Sequence, residues 1–208
     1  MTRITREASQ AQTRAKLVSV AQTLFTRDGY AATSLERITD EAGFSKGAVY
    51  SNFESKEGLF LDVLDAHGKA SLASILDALQ GAQTIDDAID ALARWADRHS
   101  RKGNWPALIV EYARLARPAT TFRRSQEKVL RAQWRALGER LLALAPTSPP
   151  TSMPSPETVG ALVFELTYAP AMSFVSQPTA GDLLRVALQG VFLANPPSSA
   201  SGKRATRR

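Results

Sequence analysis

Three observations predict an all-α fold. Apolar residues recur at helical spacing in one segment after another. Glycine, proline and hydroxyl side chains fall at the joints between those segments, where helices stop and start. No alternating apolar–polar pattern of the kind a half-buried strand needs persists anywhere along the chain. The chain has 208 residues, 44% of them apolar, which is ordinary for a globular protein and allows one or two domains. No run of about 18 uncharged apolar residues occurs, so no membrane-spanning helix is predicted. The opening MTRITREASQ lacks the apolar core of a secretory signal. The absence of cysteine excludes disulfides and thiolate metal sites and fits a cytoplasmic location.

The first helix is expected from about Gln10 to Arg27, with Ala11, Ala15, Val18, Ala21, Leu24 and Phe25 on one face. Asp28-Gly29 ends it, the glycine suiting a left-handed cap. Thr33 is expected to open a second helix as a capping box with Glu36, and Leu35, Ile38 and Ala42 form its inward face. Gly43 permits a sharp turn, and Phe44 faces the core. Ser45 caps a third helix running to about Phe53, with Val49 and Phe53 buried. Ser55 caps a fourth, reaching about Leu79. Further amphipathic helices are expected at about Ile85–His99, Trp105–Ala116 and Phe122–Leu144. A proline-rich connector (146–156) precedes two strongly apolar helices, about Glu157–Val175 and Thr179–Ala194. The end, NPPSSASGKRATRR, reads as a disordered basic tail.

The stretch Thr33–Phe60, TSLERITDEAGFSKGAVYSNFESKEGLF, is the segment with the clearest chemistry. Its two short helices around a tight turn have the form of a helix-turn-helix, whose second helix enters a DNA major groove. With Val49 turned inward, Lys46, Gly47, Ala48, Tyr50, Ser51 and Asn52 are left for the outer faces. Lysine donates to a guanine edge or a phosphate, tyrosine offers a ring and a hydroxyl, and small residues let backbone approach bases. Thr33 and Ser34, at a helix N-terminus, suit a phosphate, and Lys56 in the next helix is a further phosphate candidate. The overall charge of +6 adds little. Lys203, Arg204, Arg207 and Arg208 supply four of those charges from the tail, so the body is only weakly basic.

The wording AGFSKGAVYSNFESKEGLF closely resembles the recognition segment of the TetR/AcrR family of bacterial transcriptional regulators. The preceding helix matches too, from Gly29-Tyr30 through Thr33-Ser34-Leu35 and Ile38 to Ala42. The resemblance covers about residues 12–64. The chain departs from the usual pattern at Glu36-Arg37 with Thr39-Asp40, and at Gly58. The resemblance implies a homeodomain-like three-helix DNA-binding domain over residues 1–54 and a helical effector-binding and dimerisation domain over 55–194, with 195–208 as tail. It also implies a homodimeric repressor that binds a palindromic double-stranded DNA operator, is released by a small-molecule effector, and needs no cofactor, metal or membrane.

The last two helices support the dimer independently. Val159, Leu162, Val163, Phe164, Leu166, Tyr168 and Met172 on one, and Leu183, Leu184, Val186, Leu188, Val191 and Phe192 on the other, carry more apolar surface than one chain covers. For the effector pocket, the large side chains of the middle helices are the candidates: Trp95, His99, Trp105, Leu108, Tyr112, Trp134, Phe164 and Tyr168, with Glu111 and Glu165 to orient a polar or cationic group. An enzyme is the first rival reading. His67 and His99 are the only histidines, each alone on a helix, and no HExxH, phosphate-binding loop or GxSxG elbow occurs. A regulator that answers to a protein partner, or to nothing, is the second.

Overall fold

The computed structural model describes residues 6–100, 103–115, 120–145, 153–168 and 176–192. These form helices α1 (Arg6–Asp28), α2 (Leu35–Ala42), α3 (Lys46–Tyr50), α4 (Lys56–Ala78), α5 (Ile85–His99), α6 (Trp105–Leu115), α7 (Thr120–Leu142), α8 (Pro156–Tyr168) and α9 (Ala180–Phe192). No strand occurs among the described residues, and none of their helices is long and apolar enough to cross a membrane. The basic tail, most of the proline-rich connector, and Met172 with the expected C-terminal end of α8 lie outside the described residues.

The N-terminal core forms where α1, α2 and α3 pack on the first half of α4. Leu17, Ala21, Leu24 and Phe25 recur at i, i+4, i+7 and i+8 of α1 and are all buried. The stripe thus begins at Leu17; Ala11 and Ala15, expected on the inward face, are exposed. Ile38, Val49 and Phe53 join them, and α4 adds Leu59, Phe60, Leu61 and Val63. This core does not stop at residue 54. Trp105 and Leu108 of α6 are buried in the same cluster.

The second core is built by the upper half of α4 with α5, α7, α8 and α9, and includes Ile75, Leu79, Leu92, Trp95, Leu137, Leu141, Val163, Leu184 and Leu188. Thr84 opens α5 in a reciprocal capping box with Asp87. Two glycines let α7 and α8 cross almost backbone to backbone. A Cβ on Gly160 would stand 1.9 Å from the Trp134 carbonyl oxygen, and one on Gly138 would stand 1.8 Å from that of Pro156. Arg135 pairs with Glu157 across the same crossing, and Gly181 at the start of α9 donates to Asp97 at 2.8 Å. α4 passes through both cores and joins them.

Candidate functional site

The short helix α3 is fixed at both ends. Ser45 Oγ accepts from the Ala48 amide at 3.3 Å, the capping contact its position predicts. Val49 and Phe53 bury the inner face. Arg14 of α1 closes the far end: it donates to the Asn52 carbonyl at 2.6 Å, pairs with Asp62 at 2.6 Å and lies over the Phe53 ring at 4.3 Å. Lys46, Gly47, Tyr50 and Ser51 are left on the outside, with Tyr50 52% exposed. Gly47 has no internal reason to be glycine, since a Cβ there would meet only Ser45 Oγ, at 3.9 Å. Ala48 is half-buried. Asn52 faces partly inward: its Nδ2 donates to the Ala48 carbonyl at 2.8 Å, and its Oδ1 is buried without a partner.

The turn before α2 departs from the expected capping box. Ser34 is the cap, its Oγ accepting from the Arg37 amide at 3.2 Å. Thr33 is fully buried, and its hydroxyl donates to the Gly29 carbonyl at 2.8 Å. A β-branched hydroxyl four residues beyond Gly29 reaches back to the carbonyl that the end of α1 leaves open. Its hydroxyl therefore holds the turn and is not presented to a phosphate, whereas Ser34 is exposed. Gly43, with φ of 73°, makes the left-handed turn between α2 and α3.

Lys56, read from the sequence as a phosphate ligand, is drawn inward. Its Nζ donates to the carbonyls of Tyr30 at 2.9 Å and Thr33 at 3.0 Å, and sits 4.3 Å above the Tyr30 ring. Burial holds its pKa below the usual lysine value, partly offset by the Glu111 carboxylate.

Glu111 and Tyr112 were expected in an effector pocket, and the fold places them against the N-terminal core. The Glu111 carboxylate accepts from the backbone amides of Tyr30 at 3.0 Å and Ala31 at 2.8 Å. Gly29, with φ of +89°, brings the turn so close that a Cβ there would lie 2.9 Å from Glu111 Oε2. Tyr112 donates to Glu57 at 2.8 Å, and its ring packs on Tyr30 and Phe60. Burial, reinforced by Glu57, pushes the Tyr112 hydroxyl above the usual phenol range. Together Lys56 and Glu111 hold the α1–α2 turn by its carbonyls and its amides. No sequence signal marks this clamp, because Glu111 lies 80 residues along the chain from the Ala31 amide it holds.

The other pocket candidates also divide. Leu108 is buried in the N-terminal core. Trp105 stacks on His67, their ring centroids 3.7 Å apart. Trp95 is buried in the second core, donates to Ser74 at 2.9 Å and stacks on His99, whose Nδ1 bonds the Trp95 carbonyl. Tyr168 lies edge-on to both His67 and Trp95, and Phe164 packs beside it. Trp134 is half-buried and Glu165 is exposed. The bridging residues are His67, Ser71 and Gln133, none of which the sequence reading chose. Burial lowers the His67 pKa to about 4, so the imidazole is neutral at physiological pH.

The profile of the bacterial regulatory proteins of the tetR family matches residues 17–63, the segment from the α1 stripe to α4. Over this segment the chain is similar to the tetR family. The regulator TtgR of Pseudomonas putida is 36% identical over 92 residues, which span 44% of this chain and 41% of TtgR. The repressor BdcR of Escherichia coli is 29% identical over 94 residues, 45% of this chain and 48% of BdcR. The chain thus matches less than half the length of either relative. The fold likeness runs further. SCO4454, a TetR-family transcriptional regulator from Streptomyces coelicolor, superimposes with a TM-score of 0.63 at 20% identity, over 88% of this chain and 95% of that one. At that identity the likeness establishes the all-α fold. The family and these relatives are regulators and not enzymes.

Proposed function

We propose that the chain is a DNA-binding transcriptional regulator, a homodimeric repressor that reads a palindromic operator through α3 and releases it on binding a small-molecule effector. The observation that carries this reading is the outer face of α3. Lys46, Gly47, Tyr50 and Ser51 are exposed on a helix whose other side is anchored by Val49 and Phe53. An unforced glycine beside a lysine and a tyrosine makes sense where an outside surface comes close. Ser34 at the start of α2 supplies a phosphate contact from the preceding helix.

The dimer is supported by α9, whereas the apolar residues of α8 (Val159, Leu162, Val163, Phe164, Leu166 and Tyr168) pack on the chain's own second core. Leu183 and Val186 are exposed on α9, Val186 by 72%, while Leu184 and Leu188 hold that helix to its own chain. A twofold pair would cover the exposed face and set two recognition helices about one DNA turn apart. Release follows by population shift: the effector binds more tightly to the spacing that does not fit DNA.

Selecting bound sequences from a random DNA pool tests the reading and should yield a palindrome. Lys46→Ala or Tyr50→Ala should then weaken operator binding about tenfold, the scale of one good base or phosphate contact, with the chain still folded and dimeric. Unchanged operator binding by both variants would refute the assignment of α3.

A further inference from the structure

Gln133 stands in line with Leu137 and Leu141 at i, i+4 and i+8 of α7, so it occupies a core position of that helix. It is only 6% exposed, yet its Oε1 has no hydrogen-bond partner. Buried acceptors in native proteins are nearly always paired, and an exception calls for a reason. Its amide is pressed against α4, where a Cβ on Gly68 would come within 2.6 Å of Oε1. His67 precedes that glycine, and Ser71 follows it by one turn. Neither ring nitrogen of His67 makes a hydrogen bond among the described residues. Ser71 and Tyr168 share one hydrogen bond at 3.0 Å, which leaves one of their two hydroxyl protons to donate elsewhere.

We propose that this junction of α4, α6, α7 and α8 is the effector site, and that it takes an uncharged planar molecule bearing an N–H or O–H donor. The proposal rests on the reading of the chain as a ligand-released regulator. The donor completes Gln133 Oε1. Planarity suits the flat His67–Trp105 pair and the edge of Tyr168. Charge is disfavoured because the nearby carboxylates are already engaged: Glu57 accepts from Tyr112, and Glu111 from the α1–α2 turn. Asp65 pairs with Lys69 through Oδ2 only, its Oδ1 being buried without a partner, but two residues from His67 it projects from the opposite side of α4. His67 is kept neutral by burial. A few polar groups beside aromatic rings are a common makeup of a small-molecule site. The site also adjoins the clamp, since Trp105 opens α6 and Glu111 lies six residues on, about 9 Å along the same helix. A ligand that parts Trp105 from His67 shifts the helix that grips Tyr30 and Ala31.

The test uses the full chain on its selected operator with matched probes: indole against 1-methylindole, and 1-naphthol against 1-methoxynaphthalene. Tryptamine and 1-naphthoate serve as charged controls. The donor-bearing probes should raise the thermal midpoint of the free protein and release the operator. Their methylated partners should bind about tenfold more weakly or worse, because methylation leaves the buried acceptor unpaired. Gln133→Met keeps the side-chain length and should erase that difference while operator binding persists. Gly68→Ala, which drives a Cβ into the amide, should do the same should the first variant fold poorly. Equal binding within each pair, preference for a charged probe, or no binding by any probe would overturn the assignment. If fractions of a cell extract release the operator from wild type and Gln133→Met alike, the site is refuted while ligand release stands. If no small-molecule fraction releases it, ligand release itself is refuted.

Discussion

Replacing Glu111 by alanine removes both acceptors that hold the α1–α2 turn. The two bonds, 3.0 Å from Tyr30 and 2.8 Å from Ala31, are of the charge-assisted kind, each contributing about 1.5–3 kcal/mol. The Ala31 amide is exposed and finds water once the carboxylate is gone, so its share shrinks. The Tyr30 amide is half-buried and loses more. A net cost of about 2 kcal/mol follows, and Glu111→Gln, which keeps one carbonyl oxygen, should cost about half as much. The loss also reaches Lys56. Glu111 raises the lysine pKa against its burial, so Lys56→Met and Glu111→Ala should be non-additive in a double-mutant cycle. Urea denaturation measures the stability, and amide exchange at Tyr30 and Ala31 locates it. Operator affinity should fall with the loosened turn. Unchanged exchange at both amides, with a stability change below about 0.5 kcal/mol, would refute the clamp.

Three further expectations use other parts of the fold. Gly160→Ala should destabilise the chain by about 3 kcal/mol or more, because its Cβ would meet the Trp134 carbonyl oxygen at 1.9 Å; thermal unfolding reads the loss. His67 is held neutral by burial, its pKa near 4 against an unfolded value near 6.5. Between those values the unfolded chain binds a proton that the native chain does not, so stability should rise with pH from 4 to about 6.5 and level off above it. His67→Gln should flatten that part of the curve. Val186→Glu puts a charge on the exposed face of α9 and should turn the dimer into monomers in sedimentation, with each chain still helical by circular dichroism.

What was legible in the sequence is what is local. Ser45 and Ser55 cap their helices where a hydroxyl before an amphipathic run predicts it, and Val49 faces inward because helical period leaves it no other side. The Thr33–Ser34 pair was harder, since two adjacent hydroxyls can each cap. The turn geometry at Gly29 decides between them, and that depends on how α1 ends. The pocket candidates divide between the two cores for a different reason. Large aromatic side chains on middle helices were grouped by composition, but α6 packs against the N-terminal core, so Leu108, Glu111 and Tyr112 belong to the head. Only tertiary packing assigns a helix to one core or another. Gln133 did carry a readable sign: a polar residue in register with Leu137 and Leu141 breaks the apolar stripe of its helix. Such a break at a core position points to a site more directly than aromatic density does, because aromatic rings serve any core, whereas an unpaired buried acceptor is a cost that packing alone does not explain.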